Sequence, residues 1–375
     1  MKEYTLFVGG YTRPFFGKEG GEGIYVFGMN PETGALTLRS TNHQAENPTF
    51  LQQRGSLLYS VGELDESEIS AFRISEDKTQ VTLINKLPLG NHTGYGTQLT
   101  LWPDNRHISS ANYRGGSLSV CTLGENGEMD RICNTLIYEG FGPDKQQDGS
   151  HVHFSLISPG GYLLVANLGC DTVTVYKMDA EDKLHRMENM SVRTPAGRGP
   201  RHMCFSGDGS RLLISCECSN TVLVYEWSEE AGVGDMLQEI SVLQAPPVGF
   251  TKLADIQLSH DGRYVYVCVR GTDQLCCFSF DGDRLSAPNW FPSGGKSPRA
   301  MAITEDDKFI VAANANMVAV LPRDPVTGEV GGAIASCPVG HSTCVTIMKN
   351  FTWIQTSWQR NLMPRIRQRS WKMIV

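Results

Sequence analysis

The feature that most constrains the fold of this chain is a recurring pattern of short apolar runs. Gly197 to Tyr225, GRGPRHMCFSGDGSRLLISCECSNTVLVY, shows one copy, in which MCFS, LLIS and TVLVY are separated by turn residues such as Gly207-Asp208-Gly209. Short, partly alternating apolar runs between turn residues are typical of antiparallel strands in a meander. Each copy therefore predicts three consecutive strands.

Six stretches follow this plan, and a polar turn and a fourth strand come after each of them. They begin at Pro48, Thr97, His151, Pro200, Ala254 and Pro298. A period of roughly 40 to 55 residues with four strands in each unit indicates the blades of a β-propeller.

The two ends of the chain supply a seventh unit. YTLFVGGYT and GIYVFGM match second and third strands and ALTLRST matches a fourth, whereas the missing first strand is HSTCVTIM, from His341 to Met348. Pairing the N-terminal strands with this C-terminal strand closes the propeller and removes exposed edges. We therefore predict an all-β fold, a seven-bladed β-propeller over residues 1–349, with helices nearly absent.

Residues 350–375 break the pattern. From Phe351 onward they include three of the six tryptophans and five basic residues, with no acid and no periodicity. We expect a disordered tail, with an amphipathic or partner-binding segment as the alternative.

Composition narrows the classes of partner and compartment. A formal net charge of -7 argues against general binding to nucleic acid or anionic membranes. With no leader sequence and no membrane-spanning run, we expect a cytoplasmic protein.

The 11 cysteines contain no Cys-x-x-Cys pair, which favours reduced thiols. Cys216 and Cys218 flank Glu217, but no second thiol pair completes a zinc site, so we expect no metal.

Residues at the starts of first strands and the ends of second strands converge on one mouth of a propeller's central channel. The first-strand starts contribute His151, His153, Arg201, His202 and Arg299. The second-strand ends contribute Glu63, Asn112, Asn167, Glu217, Arg270 and Asn314. Glu217 stands out because it interrupts an apolar strand, where an acid is costly unless it is paired or used. Arg270 is its expected partner, unless that arginine binds an anionic ligand.

Structural roles also explain members of this group. One of His151 and His153 packs between sheets if the other faces the channel, and the asparagines form turns. Arg201 and Arg299 could pair with carboxylates of neighbouring blades. Gly-x-Ser-x-Gly, His-Glu-x-x-His and a complete phosphate loop are all missing from the sequence, which argues against serine hydrolases and nucleotide enzymes.

Five elements together give a specific resemblance. They are NPTF with LYSVGE (47–63), ANYRGGS (111–117), HVHFSLISPGGYLLVANLGCD (151–171), GRGPRH with ECSN, and the SHDGRYVY segment that ends at Arg270. From about residue 4 to 346 the chain resembles the seven-bladed propeller lactonases, which include the bacterial 6-phosphogluconolactonases and are related to fungal carboxymuconate cyclases. It departs from their pattern in Asn167 for an aspartate, Gly62 for an asparagine and Cys268-Val269 for Ser-Asn, changes that bear on the substrate more than on the fold.

The resemblance implies a site without metal or cofactor that binds a small anionic lactone and hydrolyses it. Its implied reaction is hydrolysis of 6-phosphogluconolactone to 6-phosphogluconate, a step of the pentose phosphate pathway. The matching catalytic residues are His151, His153, Arg201, Glu217 and Arg270. The expected substrate-binding residues are His202, Arg299, Asn112, Glu63 and Asn167. In this hypothesis Glu217 and one histidine move protons, while Arg201 and Arg270 bind the oxyanion and the phosphate.

Three alternatives stay open at this point. A cycloisomerase that adds a carboxylate to an alkene could use the same arginines for a polycarboxylate. A calcium-dependent lactonase could take oxygen ligands from Glu63, Asn112, Asn167 and Glu217. A propeller that only binds proteins would need none of this chemistry.

Overall fold

The computed structural model describes residues 3–14, 20–247 and 249–348, so the predicted tail at 350–375 lies outside the described residues. The described chain is built from β-strands and contains two single-turn 3₁₀ helices, Leu168–Cys170 and Glu188–Met190. None of its helices is long and apolar enough to span a membrane. The prediction of an all-β chain with almost no helix is confirmed.

The strands in chain order are β1 (Tyr4–Gly10), β2 (Ile24–Met29), β3 (Leu36–Asn42), β4 (Pro48–Arg54), β5 (Leu57–Gly62), β6 (Glu68–Ile74), β7 (Val81–Pro88), β8 (Gly96–Leu101), β9 (His107–Asn112), β10 (Ser117–Leu123), β11 (Met129–Ile137), β12 (Val152–Ile157), β13 (Leu163–Asn167), β14 (Thr172–Met178), β15 (Leu184–Arg186), β16 (Val192–Arg193), β17 (Pro200–Phe205), β18 (Arg211–Cys216), β19 (Thr221–Ser228), β20 (Gly232–Ser241), β21 (Lys252–Leu258), β22 (Tyr264–Arg270), β23 (Gln274–Ser279), β24 (Asn289–Pro292), β25 (Pro298–Ile303), β26 (Phe309–Asn314), β27 (Met317–Pro322), β28 (Ala335–Pro338) and β29 (Ser342–Ile347).

These strands form seven antiparallel sheets, the blades of the propeller. Blade 1 is β29-β1-β2-β3, and blades 2 to 7 are β4–β7, β8–β11, β12–β15 with β16 beside β14, β17–β20, β21–β24 and β25–β28. In blade 1 the C-terminal strand pairs with the N-terminal one, Val345 opposite Val8. The predicted seven blades, closed by pairing the two ends of the chain, are confirmed.

The first strand of each blade lies beside the first strand of the next. Each contacts the next in the order β29, β4, β8, β12, β17, β21 and β25, and β25 contacts β29 again. The seven first strands therefore surround a central channel, and blade 1 leaves no gap in it.

The hydrophobic core lies between adjacent blades. One cluster joins Leu213 and Val224 of blade 5 to Val265 and Val267 of blade 6, all of them fully buried. Because each sheet is covered on both faces, its inner strands are continuous apolar runs rather than strictly alternating ones. Burying each such side chain stabilises the fold by about 1.5 to 3 kcal/mol.

A recurring polar turn fixes the register of the first two strands. In blade 5, Ser206 Oγ donates to Asp208 Oδ1 at 2.5 Å and the Ser210 amide donates to the same oxygen at 3.0 Å. Gly209 takes a φ of 74°, which a residue with a Cβ adopts only under strain. This turn joins the end of β17 to the start of β18. The start of β17 and the end of β18 therefore lie together at the other end of the hairpin.

Every first strand has one extra residue near its start, a β-bulge. In blade 4, Val152 is opposite Asn167 and Phe154 is opposite Ala166, which leaves His153 without a strand partner. A bulge re-aims the side chain of its extra residue and is often found next to active sites. In six blades the single extra residues are Thr49, Thr97, His153, Arg201, Arg299 and Thr343.

Candidate functional site

A cavity of about 520 Å³ opens where the first strands begin. Its lining residues are Tyr11, Glu63, Tyr95, Thr97, Tyr113, Arg114, Gln146, His153, Glu217, Phe250, Arg270 and Arg299. Three of them, Thr97, His153 and Arg299, are bulge residues of first strands. The bulges thus supply part of the cavity wall.

Glu217 lies at the centre of a buried network of charges. Arg201 donates from Nε to Oε2 of Glu217 at 2.6 Å, and Nη2 of Arg270 lies 2.9 Å from the same oxygen. Gln146 donates from Nε2 to Oε1 at 2.5 Å. Arg201 and Glu217 follow the paired residues Pro200 and Cys216, so the hairpin register itself brings them together.

This network decides the charge of Glu217. Burial alone would raise the pKa of its carboxyl, but Arg270, Arg201 and the bond from Gln146 outweigh burial and lower the pKa to about 2. Burial of Arg201 lowers the pKa of its guanidinium to about 10, which still leaves it charged at pH 7. Glu217 is consequently a fixed anion and a weak base.

Glu63 is in a different environment across the same cavity. The Tyr11 hydroxyl donates to Oε1 of Glu63 at 2.7 Å and accepts a hydrogen bond from Nη1 of Arg299 at 3.1 Å. Burial raises the pKa of Glu63, and the charge of Arg299 offsets only part of that effect. The two cavity glutamates therefore have pKa values shifted in opposite directions, a pattern typical of acid-base sites.

The two histidines of the His-x-His motif are separated by the structure. His153 lines the cavity, is 5 % exposed, and its Nδ1 has no hydrogen-bond partner among the described residues. Burial, with Arg201 and His202 nearby, lowers the pKa of His153 well below 6.5, so its imidazole is neutral at pH 7. His151 instead stacks on Tyr113 and its Nε2 lies 2.8 Å from Oδ1 of Asp148, outside the cavity lining.

His202 lies below the cavity rather than in its wall. Its Nδ1 lies 2.9 Å from Oδ1 of the buried Asp255, and its ring packs 4.4 Å from that of Phe154. Burial and Arg201 lower the pKa of His202 to about 4 despite the opposing effect of Asp255.

Two predicted substrate-binding residues, Asn112 and Asn167, are held inside their own blades. Asn112 donates to the hydroxyls of Ser117 and Ser119, and Asn167 bonds Ser150 and the His151 amide. The third asparagine at a second-strand end, Asn314, likewise donates to a backbone carbonyl.

Strand geometry explains why these asparagine side chains do not line the cavity. Asn112 is the last residue of β9, aligned with Gly62 and Cys216, whereas Tyr113, one residue later, is aligned with Glu63 and Glu217. A shift of one residue reverses the direction of a side chain on a strand. Tyr113 accordingly lines the cavity and Asn112 does not.

Several cavity residues were missed by the sequence reasoning. Tyr113 and Arg114 belong to the ANYRGGS element, and Tyr11 follows the first apolar run, so applying the one-residue offset could have found Tyr113. Gln146 and Phe250 come from the connections before blades 4 and 6, where no periodicity marks them. Loop residues of this kind have no local sequence signal.

The charges of the cavity favour an anionic ligand. Arg114, Arg270 and Arg299 line the cavity, and Arg201 pairs with Glu217 at its wall. Against Glu63 and Glu217, these four arginines leave an excess of two positive charges. In the part of the chain that the structure describes, no group of three or more His, Cys, Asp and Glu residues could hold a metal ion. The oxygens proposed for a calcium site are not brought together, since Asn112 and Asn167 bond within their blades.

Comparison with known proteins gives the same family. The family model described as "Lactonase, 7-bladed beta-propeller" matches residues 5–347. A 6-phosphogluconolactonase of Bacillus subtilis is 28% identical over 360 residues, covering 93% of this chain and 99% of that protein.

Solved structures agree over nearly the whole chain. A candidate 6-phosphogluconolactonase of Bacteroides fragilis has a TM-score of 0.84 at 28% identity, covering 92% of this chain and 98% of its own. A periplasmic gluconolactonase of Pseudomonas aeruginosa has a TM-score of 0.84 at 26% identity, covering 93% and 99%. With the family model matched from residue 5 to 347, this chain belongs to the seven-bladed β-propeller lactonase family.

Proposed function

We propose that this chain is a lactonase that hydrolyses 6-phosphogluconolactone to 6-phosphogluconate in the cavity at the channel mouth. One observation carries the proposal: a cavity with an excess of arginines holds a neutral histidine, His153, whose Nδ1 has no hydrogen-bond partner in the described structure. Such a site can attract an anionic ester and activate water beside it. The name of the Bacillus subtilis relative supports the substrate, and that of the Pseudomonas aeruginosa neighbour supports the lactone class.

In the proposed reaction His153 is the general base. It takes a proton from a water molecule as the water oxygen bonds to the lactone carbonyl carbon. The bond from that carbon to the ring oxygen then breaks, and the ring oxygen receives the proton from His153. Glu217 is unsuited to this role because its pKa is about 2 and three side chains already donate to it.

The arginines stabilise negative charge in this scheme. Arg270 and Arg299 line the cavity, and Nε of Arg270 has no hydrogen-bond partner in the described structure. A donor that is fixed before the oxyanion forms costs little reorganisation, and losing one such donor typically slows a reaction about 100- to 1000-fold. Glu217 keeps the guanidinium of Arg270 in place through their 2.9 Å contact.

We infer a cytoplasmic location from the thiols. All 11 cysteines are free, and seven of them are buried. Free thiols persist in a reducing compartment, whereas exported proteins often form disulfides.

The test is hydrolysis of freshly generated 6-phosphogluconolactone, measured against the spontaneous rate, with glucono-δ-lactone as the comparison substrate. We expect faster hydrolysis of the phosphorylated lactone and no loss of activity on adding a chelator. Preference for the unphosphorylated lactone would keep the reaction and reject the substrate. A rate equal to the spontaneous one for both lactones would reject the proposed function.

A further inference from the structure

A second, much smaller chamber lies in the channel beneath the cavity. Its volume is about 20 Å³, against about 520 Å³ for the cavity above it. The six bulge residues, Thr49, Thr97, His153, Arg201, Arg299 and Thr343, all line it. The chamber is therefore a product of the bulges, which aim six side chains at one point of the channel.

Two buried groups at this chamber have no protein partner. Nδ1 of His153 and Nη1 of Arg201 are each without a hydrogen bond in the described structure, and both residues are at least nine-tenths buried. Buried polar atoms in native proteins are normally satisfied by protein or by ordered water. A cavity of about 10 to 15 Å³ or more, with two to four polar partners, is enough for one water molecule.

The chamber also communicates with the cavity, because Glu63, Thr97, His153 and Arg299 line both. We propose that this chamber holds the hydrolytic water, bound by His153 and Arg201, and that it delivers this water to the lactone above. The inference rests on the proposed function. One water proton passes to His153 as its oxygen bonds to the carbonyl carbon, and bulk water refills the chamber after the ring has opened.

The pair of His202 and Asp255 orients this water in the proposal. A carboxylate only accepts, so the 2.9 Å contact places the proton on Nδ1 of His202 and leaves Nε2 as an acceptor. Asp255 is itself fixed, because its Oδ2 accepts from the Met301 amide and from Nε2 of Gln257, both at 3.1 Å. The His202 ring lines the chamber and lies 5.3 Å from that of His153. Asp255 is thus a positioning residue that acts through His202.

Two alanines on one strand give a matched test. Ala300 lines both the chamber and the opening at the opposite end of the channel, whereas Ala302, two residues along β25 on the same face, lines that opening alone. Ala300→Val adds two methyl groups where the water would lie. We expect kcat to fall about 100-fold with KM unchanged, since misplacing a reacting group by about 1 Å has this effect. Ala302→Val should keep both constants.

A high-resolution crystal structure supplies a second measurement that does not depend on a variant's folding. It should show one water within hydrogen-bond distance of His153 Nδ1 and Arg201 Nη1. Asp255→Asn should leave KM unchanged but lower kcat. An amide has only one acceptor oxygen, so it cannot accept from His202, Gln257 and Met301 together. A purely structural role for Asp255 would change the melting temperature without this split between kcat and KM.

The outcomes separate the inference from the function on which it rests. A parent protein with no lactonase activity would overturn both. If the parent is active, two results would overturn only the water assignment. One is a chamber without a water, and the other is an Ala300→Val variant that hydrolyses the lactone at the parent rate. An ordered water, together with a kcat loss confined to Ala300→Val and Asp255→Asn, would establish it.

Discussion

Arg201 and Glu217 form a buried ion pair, 2.6 Å from Nε to Oε2, across the start of the first hairpin of blade 5. Both side chains are under a tenth exposed, so the pair is shielded from water and depends on good geometry. Arg270 of the next blade shares the same carboxylate oxygen. One carboxylate therefore holds two arginines from two blades beside the cavity.

Removing this carboxylate should damage both stability and activity. Glu217→Gln leaves two buried arginines without their counter-charge, and we expect the free energy of unfolding to fall by about 3 to 5 kcal/mol. Lactonase activity should fall about 100-fold because Arg270 loses its anchor. Denaturant unfolding and kcat/KM measure the two effects. Glu226→Gln, on the exposed face of β19, is the control, and an equal response of both variants would contradict the role of Glu217.

The buried His202 should make stability depend on pH. Its pKa is about 4 in the folded protein against 6.5 ordinarily, so below pH 6.5 the unfolded chain binds a proton that the folded chain does not. Stability should therefore fall as pH decreases from 6.5 to 4, by about 3 kcal/mol for this one group. His202→Gln should lose that part of the slope, whereas His185→Gln, at a half-exposed histidine, should keep it. Superimposable pH curves for the parent and His202→Gln would contradict this account.

Arg114 should select for the phosphorylated substrate. It lies at the cavity rim, 68% exposed, with its guanidinium 5.3 Å from the centre of the Tyr95 ring. Arg114→Ala should raise KM for 6-phosphogluconolactone about tenfold, equivalent to about 1.4 kcal/mol, and leave KM for glucono-δ-lactone unchanged. Arg131→Ala, another exposed arginine of the same blade, should change neither. A loss shared by both lactones would show that Arg114 does not bind the phosphate.

The closure of blade 1 should set the minimum length of the chain. Ending the chain after Gly340 removes β29 and exposes the edge of β1, whereas ending it after Met348 keeps the pairing. We expect the longer chain to match the full protein in melting temperature and activity, and the shorter one to lose cooperative unfolding. A chain ending at Met348 that melts well below the full protein would show that residues 349–375 contribute to stability.

The fold could be predicted because the same sequence pattern recurs in each blade. Turn residues and apolar runs recur in six units, and HSTCVTIM supplies the strand that the N-terminal unit lacks. The pairing of the two ends of the chain then followed from the need to close the propeller, whereas its register, with Val8 opposite Val345, came from the structure.

The site was harder to predict because moving one residue along a strand reverses the direction of the side chain. Asn112 and Tyr113 are neighbours, yet only Tyr113 reaches the cavity. The bulge at His153 likewise has no sequence signature, so the sequence could not decide which histidine of the motif faces the channel. Gln146, on a connection between blades, reaches Glu217 through tertiary structure alone.

A comparison of His153→Gln with His151→Gln in the hydrolysis of 6-phosphogluconolactone would decide whether the reaction takes place in this cavity. The two histidines share one motif, but only His153 lines the cavity. We predict that His153→Gln lowers kcat at least about 100-fold, as expected for loss of a general base, while His151→Gln stays close to the parent. A His153→Gln variant as active as the parent would contradict the assignment of the chemistry to this cavity.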